Sequence, residues 1–424
     1  MNYEKKILEN GLRIISVPNK DSLAATILVL VEAGSKYETK KINGLSHFLE
    51  HMCFKGTNNR PRAIDISTEL DSLGAQYNAF TGHEYTGYYA KVPSRHLDKA
   101  IKVVADLYQN PLFDDGEILK EKGVIVEEIN MYEDLPQRKV RDLITELLYG
   151  DQPAGWSITG DKETVKNLTR ADFLKYRGEH YVAAATTVVV AGKFGEKDIF
   201  KKIEEEFGNI TTGRKFGKVV TRESQKAPRI LVHPKKSDQT HIVAAFRTYD
   251  IYDRRNYALE LLAHILGGSM SSRLFQRIRE EMGAAYYIQS AVDAFTDHGY
   301  LAISVGVDNS RVRDVIKAIL DECKKLQKNI LTGQELQMFK DSMIGGIVLG
   351  LETSDAVANF YGGQEILKKA IENPEELAGM IQGVTFQEIM TEAGSIFTND
   401  KLNLALIGPF DKNAEPNFAK VLHL

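Results

Sequence analysis

The sequence predicts an α+β fold of two duplicated domains, each a mostly antiparallel sheet covered by helices. Hairpin-linked strand patterns and helical patterns are mixed, without the regular β–α alternation that is typical of a parallel sheet. The order of strands and helices in the first half repeats from Arg229 onwards. A length of 424 residues also exceeds one ordinary hydrophobic core and predicts two or three domains.

The first half begins with a predicted β-hairpin. Strand patterns at residues 4 to 9 and 12 to 18 flank Asn10-Gly11, a dipeptide typical of a two-residue turn. Further patterns predict a strand at 24 to 33, a helix at 44 to 54, a helix at 62 to 73, strands at 76 to 80 and 84 to 92, helices at 94 to 108, 115 to 133, 137 to 149 and 170 to 179, a strand at 186 to 190 and a helix ending at Phe207. The first domain should therefore contain about six strands.

A segment without apolar periodicity separates the two halves. Residues 213–228 are rich in Gly, Lys and Arg, which predicts a linker between domains at 1–212 and 229–424. The second domain should contain strands at 229 to 233, 240 to 247, 286 to 294 and 299 to 307, a helix at 253 to 266, and several helices after residue 307.

Composition excludes some function classes. The formal net charge is -4, which provides no basic field for nucleic acid. No apolar run approaches the length that spans a membrane, and the N-terminus shows neither a signal core nor a basic presequence. Only two cysteines are present, Cys53 and Cys323, which favours a reducing compartment. We therefore expect a cytoplasmic protein that binds neither nucleic acid nor membranes.

The segment His47-Phe48-Leu49-Glu50-His51 carries the strongest chemical signal. On an α-helix, residues three and four apart share one face, so two imidazoles can converge on one ion with Glu50 beside them. A catalytic zinc takes three protein ligands and keeps one position for water, whose proton a nearby carboxylate can accept. The His-x-x-Glu-His order is that of the inverzincins. The alternative is a pair of ordinary histidines that share this spacing by chance.

The residues around this segment decide between the two interpretations. The sequence from Gly44 to Thr57, GLSHFLEHMCFKGT, resembles the active-site helix of the pitrilysin-type zinc metallopeptidase family. Mitochondrial processing peptidase, insulin-degrading enzyme and the short bacterial-type processing peptidases belong to this family. The resemblance extends along nearly the whole chain and implies a duplicated α+β architecture.

The resemblance implies a third zinc ligand on a later helix. The segment from Val124 to Ile129, VIVEEI, matches the family pattern in which the second acidic residue binds the metal, here Glu128. Glu127 would point about 100° away on the same helix and is expected to be a surface residue. Glu121 lies two turns before Glu128 and matches a family glutamate that supports the ligands. An ordinary charged helix surface is the alternative for these glutamates.

Two further segments resemble substrate-binding parts of the family. Arg279 and Tyr286, seven residues apart, match a pair that binds the substrate backbone or the oxyanion; the alternative is a surface arginine and a core tyrosine. Asn78 and Ala79 match an edge strand on which an extended peptide pairs with the main chain; an internal strand is the alternative. His264 stands where the second domain should repeat the metal helix, but it has no histidine partner four residues on and is expected to be structural.

The resemblance as a whole implies a Zn²⁺-dependent endopeptidase. It would hydrolyse peptides or presequence-like segments in an enclosed chamber, with Glu50 as the general base. The chain has the length of half of the family's single-chain giants yet carries both sets of site residues, which implies a homodimer with shared sites. Two alternatives stay open: a structural subunit without activity, and a subunit that is active only with a different partner chain.

Overall fold

The structure is a computed structural model that describes residues 2–328 and 331–424. Two β-sheets form its framework. The strands of the first half are β1 (Glu4–Ile7), β2 (Arg13–Pro18), β3 (Ala24–Val31), β4 (Gln76–Thr81), β5 (Thr86–Pro93) and β6 (Thr186–Gly192). The helices of this half are α1 (Leu45–Cys53), α2 (Ala63–Ser72), α3 (Leu97–Gln109), α4 (Asp115–Asp134), α5 (Pro136–Tyr149), α6 (Lys162–Asn167), α7 (Arg170–His180) and α8 (Glu196–Phe207).

The first sheet has six strands in the order β1-β2-β6-β3-β5-β4, which confirms the predicted number. All neighbouring pairs are antiparallel except β2 and β6, which are parallel. The predicted two-residue hairpin turn is wrong. The loop between β1 and β2 runs from Leu8 to Leu12, and the Gly11 N–H donates to the Leu8 carbonyl at 2.9 Å. Asn10 uses its own side chain to accept from the Leu12 N–H at 3.1 Å, so one asparagine stabilises a wider turn.

The second half repeats this arrangement with five strands. They are β7 (Arg229–Pro234), β8 (Gln239–Thr248), β9 (Ala285–Ala294), β10 (Gly299–Asp308) and β11 (Leu402–Gly408). The α-helices are α9 (Asn256–Gly267), α10 (Val312–Leu326), α11 (Gly333–Gly350), α12 (Ser354–Leu367), α13 (Pro374–Gly383), α14 (Phe386–Ile396) and α15 (Glu415–Ala419). A π-helical segment, Phe275–Glu281, precedes β9.

The second sheet has the order β7-β11-β8-β10-β9, so the last strand of the chain lies inside it. β11 pairs in parallel with β7 and antiparallel with β8. The sequence analysis did not predict β11. Its pairing partners lie 156 to 174 residues earlier in the chain, a separation that local periodicity cannot detect.

Helices cover the first sheet on both faces. Alternate residues of β3 point to opposite sides. Ile27 and Val29 join the core beneath α1, α3 and α7. On the other side, the Thr26 hydroxyl bonds to the Ser354 hydroxyl at 2.8 Å, and α12 packs against β3 and β6. The middle strands are therefore buried on both faces, which explains why β3 is almost wholly apolar.

In the second sheet, α5 occupies the place that α12 has on the first sheet. It packs against β8 and β11, and its residues Val140 and Leu143 form a small core with Val243 and Ala245. The opposite face of this sheet is covered by α9, α10 and α14. A helix from each half of the sequence therefore completes the sheet of the other half.

Because each half contributes a helix to the sheet of the other half, the compact units differ from the domains that the sequence predicts. One compact unit contains Met1–Ile129, Ser157–Val219 and Val348–Pro374, and the other contains Asn130–Trp156, Val220–Ile347 and Glu375–Leu424. The predicted domains at 1–212 and 229–424 are contiguous, whereas these units are not, because α12 and α5 pack on the sheet of the opposite half. The predicted linker 213–228 also divides between the units.

The first part of that segment is anchored rather than free. The Lys215 ammonium pairs with Glu32, and the Lys218 ammonium lies 2.9 Å from Glu84. Both carboxylates are buried. Two of the basic residues that suggested a linker, Lys215 and Lys218, are thus ion-pair partners in the first compact unit. No helix of residues 2–328 and 331–424 combines the length and hydropathy needed to cross a membrane.

Candidate metal centre and peptide site

The helix α1 brings both motif histidines to one side. Their ring centroids are 4.6 Å apart with the rings at 63°, and His47 is buried. Each imidazole Nε2 lies 3.6 Å from the same carboxylate oxygen, Oε2 of Glu128. The structure therefore brings together the three residues that the sequence analysis selected as metal ligands.

The spacing of these atoms fits a zinc ion. One ligand atom from each of His47, His51 and Glu128 lies within 4.8 Å of the other two. Bonds of 2.0 to 2.2 Å in a tetrahedron separate neighbouring ligand atoms by about 3.4 Å. The observed 3.6 Å is close to that value and longer than a hydrogen bond. Two imidazoles and one carboxylate are also the donor set of several catalytic zinc sites.

The two adjacent glutamates of α4, Glu127 and Glu128, differ in how they face the rest of the protein. Its buried residues Ile118, Glu121, Ile125 and Ile129 recur every three or four positions and define the inward face. Glu128 lies at the border of this face, whereas Glu127 is exposed. The helical period thus places Glu128 at the histidines.

Glu121 orients one of the histidines. Its Oε1 lies 2.9 Å from Nδ1 of His51, and its Oε2 accepts from the Lys55 ammonium at 2.6 Å. Burial acts to raise the pKa of Glu121, but the hydrogen bonds from His51 and Lys55 outweigh it and hold this pKa below its usual value. An ionised Glu121 accepts the Nδ1 proton, which leaves Nε2 of His51 as the nitrogen that can bind a metal.

Glu50 stands one turn after His47, and a residue of the first sheet donates a hydrogen bond to its carboxylate. Oε2 of Glu50 accepts from the Thr81 hydroxyl at 2.5 Å. Burial raises the pKa of Glu50, against the opposing effect of this hydrogen bond. Burial also lowers the pKa of His47 to about 4, so that its imidazole is neutral at pH 7, as a metal ligand must be.

The strand β4 lies at the edge of the first sheet, next to α1. Asn78 is exposed and Ala79 is buried, in keeping with their alternation along the strand. The Ala79 N–H donates to the Asn78 side-chain oxygen at 2.9 Å. The strand that the sequence analysis selected for peptide pairing is therefore an edge strand, and the internal alternative does not hold.

Arg279 and Tyr286 lie in the second compact unit. Arg279 belongs to the π-helical segment, and its guanidinium lies 4.8 Å from the ring centroid of Phe275 and 5.5 Å from that of Tyr286. Tyr286 is 76% exposed at the start of β9, so the core-tyrosine alternative does not hold. The two side chains form one local arrangement that presents a cation and a phenol to solvent.

The sequence analysis missed two residues that support the site, Thr81 and Lys55. Thr81 follows Ala79 by two positions, so strand alternation places both side chains on the same face of β4. Lys55 stands four residues after His51, just beyond the end of α1. Spacing from the motif could have drawn attention to both, but their partners Glu50 and Glu121 depend on how α1 packs against β4 and α4.

Comparison with family models identifies the class of protein. Residues 13–162 match the model described as Insulinase (Peptidase family M16), and residues 167–343 match the one described as Peptidase M16 inactive domain. Relatives include a protein of Bacillus subtilis strain 168, YmxG, which is described as an uncharacterized zinc protease. It is 35% identical over 95% of this chain and 97% of its own. A similarly described zinc protease of Streptomyces coelicolor, SCO5738, is 32% identical over 96% of this chain and 90% of its own.

Solved structures share the fold. A protease from Helicobacter pylori superposes with a TM-score of 0.90 over 96% of this chain and 99% of that one, at 21% identity. A Pseudomonas fluorescens structure described as a peptidase M16 inactive domain gives a TM-score of 0.89 over 97% and 99%, at 18% identity. The fold and the similar proteins define a metalloprotease. The chain belongs to peptidase family M16, the pitrilysin-type family that its motifs resemble.

Proposed function

We propose that this protein is a zinc-dependent endopeptidase that hydrolyses peptides or presequence-like segments, with Glu50 as the general base. One observation carries the proposal. Nε2 of His47 and Nε2 of His51 each lie 3.6 Å from the Glu128 carboxylate, in the spacing of a zinc coordination shell, and Glu50 stands on the same helix.

Each residue then has a defined task. His47, His51 and Glu128 would hold the zinc ion, which supplies a Lewis acid that makes water a stronger nucleophile. Glu50 accepts the proton of the attacking water and passes it to the leaving amine. Thr81, which bonds to one oxygen of Glu50, leaves the other oxygen available for this proton.

The edge strand β4 would bind the substrate main chain. An extended peptide that adds to a sheet edge gains affinity from main-chain hydrogen bonds and little selectivity from side chains. The Ala79 N–H would pair with a peptide carbonyl, for which the Asn78 oxygen has to release it. Arg279 and Tyr286 would bind the substrate backbone or the reacting carbonyl oxygen as hydrogen-bond donors.

Substitution of the base tests this function. The Glu50→Gln protein should bind about one zinc per chain and still bind peptide, because the amide has nearly the same shape as the carboxylate. Its kcat should fall about 10²- to 10⁴-fold, because an amide cannot take the proton. Glu127→Gln, a surface change on α4, should keep wild-type turnover. Near-normal peptide hydrolysis by zinc-loaded Glu50→Gln protein would rule out this mechanism.

We further propose a homodimer in which Arg279 and Tyr286 of one subunit complete the zinc site of the other. The exposed phenol of Tyr286 is available for such a role, and closed two-fold association is the commonest oligomer. The His47→Ala and Tyr286→Phe homodimers should each be weak. Mixed after dissociation, they should recover up to about a quarter of wild-type activity, because half of the dimers then hold one intact site. No recovery despite demonstrated subunit exchange would contradict shared sites.

The enclosed chamber that the family resemblance implies also belongs to the proposal. Unfolded peptides should be good substrates, whereas stably folded proteins should be poor ones. Incubation with one protein in its native and its unfolded form, followed by mass spectrometry, compares the two directly. Rapid cleavage of the native form under conditions that exclude its unfolding would contradict a chamber.

A cytoplasmic location completes the proposal. Cys53 and Cys323 are both buried and unpaired, and a reducing compartment preserves thiols in that state. Fractionation of cells followed by immunodetection of the protein tests this placement. Recovery outside the cytoplasmic fraction would contradict it.

A further inference from the structure

The N-terminus of the metal helix is capped by a residue that lies outside the helix. α1 begins at Leu45, after Gly44, whose φ of 96° is in the left-handed region and which has no side chain to act as a cap. The first N–H groups of any helix lack partners within the helix. Here the carboxylate of Glu38 is the partner of two N–H groups at this end: Oε2 accepts from the Gly44 N–H at 2.8 Å and Oε1 from the Ser46 N–H at 2.6 Å.

Glu38 is held in place for this contact. Only 3% of its surface is exposed, and its Oε2 also accepts from the Asn43 side-chain amide at 3.0 Å. Burial raises the pKa of Glu38 to about 7, against the effect of hydrogen bonds from Ser46, Asn43 and Gly44. The positive end of the helix dipole favours the charged form as well.

The same helical turn is fixed by its side chain. The Ser46 hydroxyl bonds to the Tyr176 hydroxyl at 2.7 Å, and Tyr176 donates to the Gly34 carbonyl at 3.2 Å. Gly34 and Glu38 belong to one short segment, which contacts the Ser46 backbone directly through Glu38 and reaches the Ser46 side chain through Tyr176. Ser46 precedes His47, and a change in the direction of this turn would move the His47 imidazole.

We propose that Glu38 is a positioning residue for the zinc site. Its carboxylate accepts from Asn43, Gly44 and Ser46, and it acts through the N–H groups of Gly44 and Ser46 to set the direction of His47 and Glu50. This inference rests on the proposed zinc-dependent function. Outer groups that orient metal ligands commonly change metal affinity or activity 10- to 100-fold when they are removed.

The test is Glu38→Gln, which keeps the side-chain length. Glutamine has one acceptor oxygen, so its amide group would face an N–H group that now bonds to a carboxylate oxygen. We expect the zinc Kd, measured by competition with a chelator, to rise about tenfold or more. The absorption spectrum of the Co²⁺-substituted protein should change, and kcat should fall while KM stays near the wild-type value.

Glu365→Gln is the matched control. Glu365 is 1% exposed in the same compact unit, and its carboxylate pairs with the Lys5 ammonium at 2.7 Å. Its substitution should lower Tm but leave the zinc Kd and the Co²⁺ spectrum unchanged. Equal weakening of zinc binding in both variants would show a general loss of stability and overturn the inference, as would wild-type zinc affinity in Glu38→Gln.

Two further measurements keep the inference falsifiable. If Glu38→Gln does not fold, Glu38→Asp decides: it keeps the charge but is one methylene shorter, so weaker zinc binding supports positioning and unchanged binding refutes it. If the wild-type protein binds no zinc and cleaves no peptide, the proposed function fails on its own. Amide exchange of Ser46 in metal-free protein then still tests the cap, and should be faster in Glu38→Gln than in Glu365→Gln. Equal exchange would refute the cap.

Discussion

The helices α1 and α9 occupy equivalent places in the two sheets but differ in chemistry. α1 follows β3 and α9 follows β8. In the first sheet β3 lies between β6 and β5, and in the second sheet β8 lies between β11 and β10, so the two strands have the same position. Two histidines of α1 face a carboxylate of α4. The single histidine of α9, His264, instead bonds through Nε2 to the Ser342 hydroxyl at 3.1 Å.

The residues that follow His264 show why α9 cannot hold the same motif. The positions three and four further on are Gly267 and Gly268. A Cβ at Gly267 would lie 2.7 Å from the Ser290 nitrogen of β9, and one at Gly268 would lie 2.2 Å from Nδ1 of His264. Any side chain at these positions would collide with a strand or with the histidine itself.

The comparison teaches that duplication conserved the scaffold and not the site. Both sheets, their flanking helices and the covering helix from the other half recur. The metal cluster depends on a few side chains of α1 and α4 that the scaffold tolerates without requiring them. His264 is therefore a packing histidine, as the sequence analysis expected.

Loss of a ligand should have the largest effect. Glu128→Gln should reduce bound zinc from about one per chain to near zero and abolish zinc-dependent hydrolysis, because three protein ligands are needed for a catalytic zinc site. Glu127→Gln and His264→Ala should both keep the metal. Metal analysis of the purified proteins checks this set. Equal zinc content in Glu128→Gln and Glu127→Gln would remove the assignment of the third ligand.

Acid should destabilise the first unit through His180 of α7. This residue packs against the rings of Tyr37 and Tyr176, and burial lowers its pKa to about 4. The unfolded chain binds a proton there at pH about 6.5, so it holds more protons than the folded chain between pH 6.5 and 4. The contribution of neutral His180 to the free energy of unfolding should be fully present above pH 6.5. It should fall by up to about 3 kcal/mol on acidification to pH 4.

His180→Phe isolates this contribution. A phenyl ring retains the aromatic contacts but does not titrate, so the free energy of unfolding of the variant should depend less on pH between 6.5 and 4. Urea unfolding at several pH values in this window measures the two slopes. Identical slopes for the wild-type and the variant proteins would contradict a buried neutral His180.

Crowding at the end of α9 should cost an intermediate amount. Gly268→Ala should lower the free energy of unfolding by about 1 to 3 kcal/mol, the usual cost of overpacking. Gly363→Ala is the control, because Gly363 lies within α12 and a Cβ there meets nothing within 4 Å. That change should stabilise by about 0.5 to 1 kcal/mol. Urea unfolding of both proteins checks the difference, and equal stabilities would show that α9 has room for the motif.

The smallest effect should come from the outermost support of the metal helix. Lys55→Met removes the ammonium that holds Glu121 but leaves the ligands in place. The zinc Kd should rise about tenfold, at the low end for outer groups. Lys120→Met, which removes an exposed ion pair with Glu117 on α4, should leave it unchanged. Chelator competition compares the two, and identical affinities would exclude Lys55 from the support of Glu121.

The sequence by itself determined the chemistry of α1, because residues three and four apart on a helix share a face wherever the helix is placed. It also determined the duplicated α+β class, since the periodicity of each strand and helix is local. The family resemblance selected Glu128, and the exposure of Glu127 agrees with the helical period that separates the two glutamates.

Only the tertiary structure decided which distant groups support this helix. Thr81 contacts Glu50, Lys55 contacts Glu121 and Glu38 caps the first turn; each depends on packing rather than on a repeating pattern. The same holds for α5 and α12, whose amphipathic sequences show that they bury one face but not which sheet buries it. Long-range pairing is set by the shape and free energy of the whole packed core, and no window of the sequence contains that information.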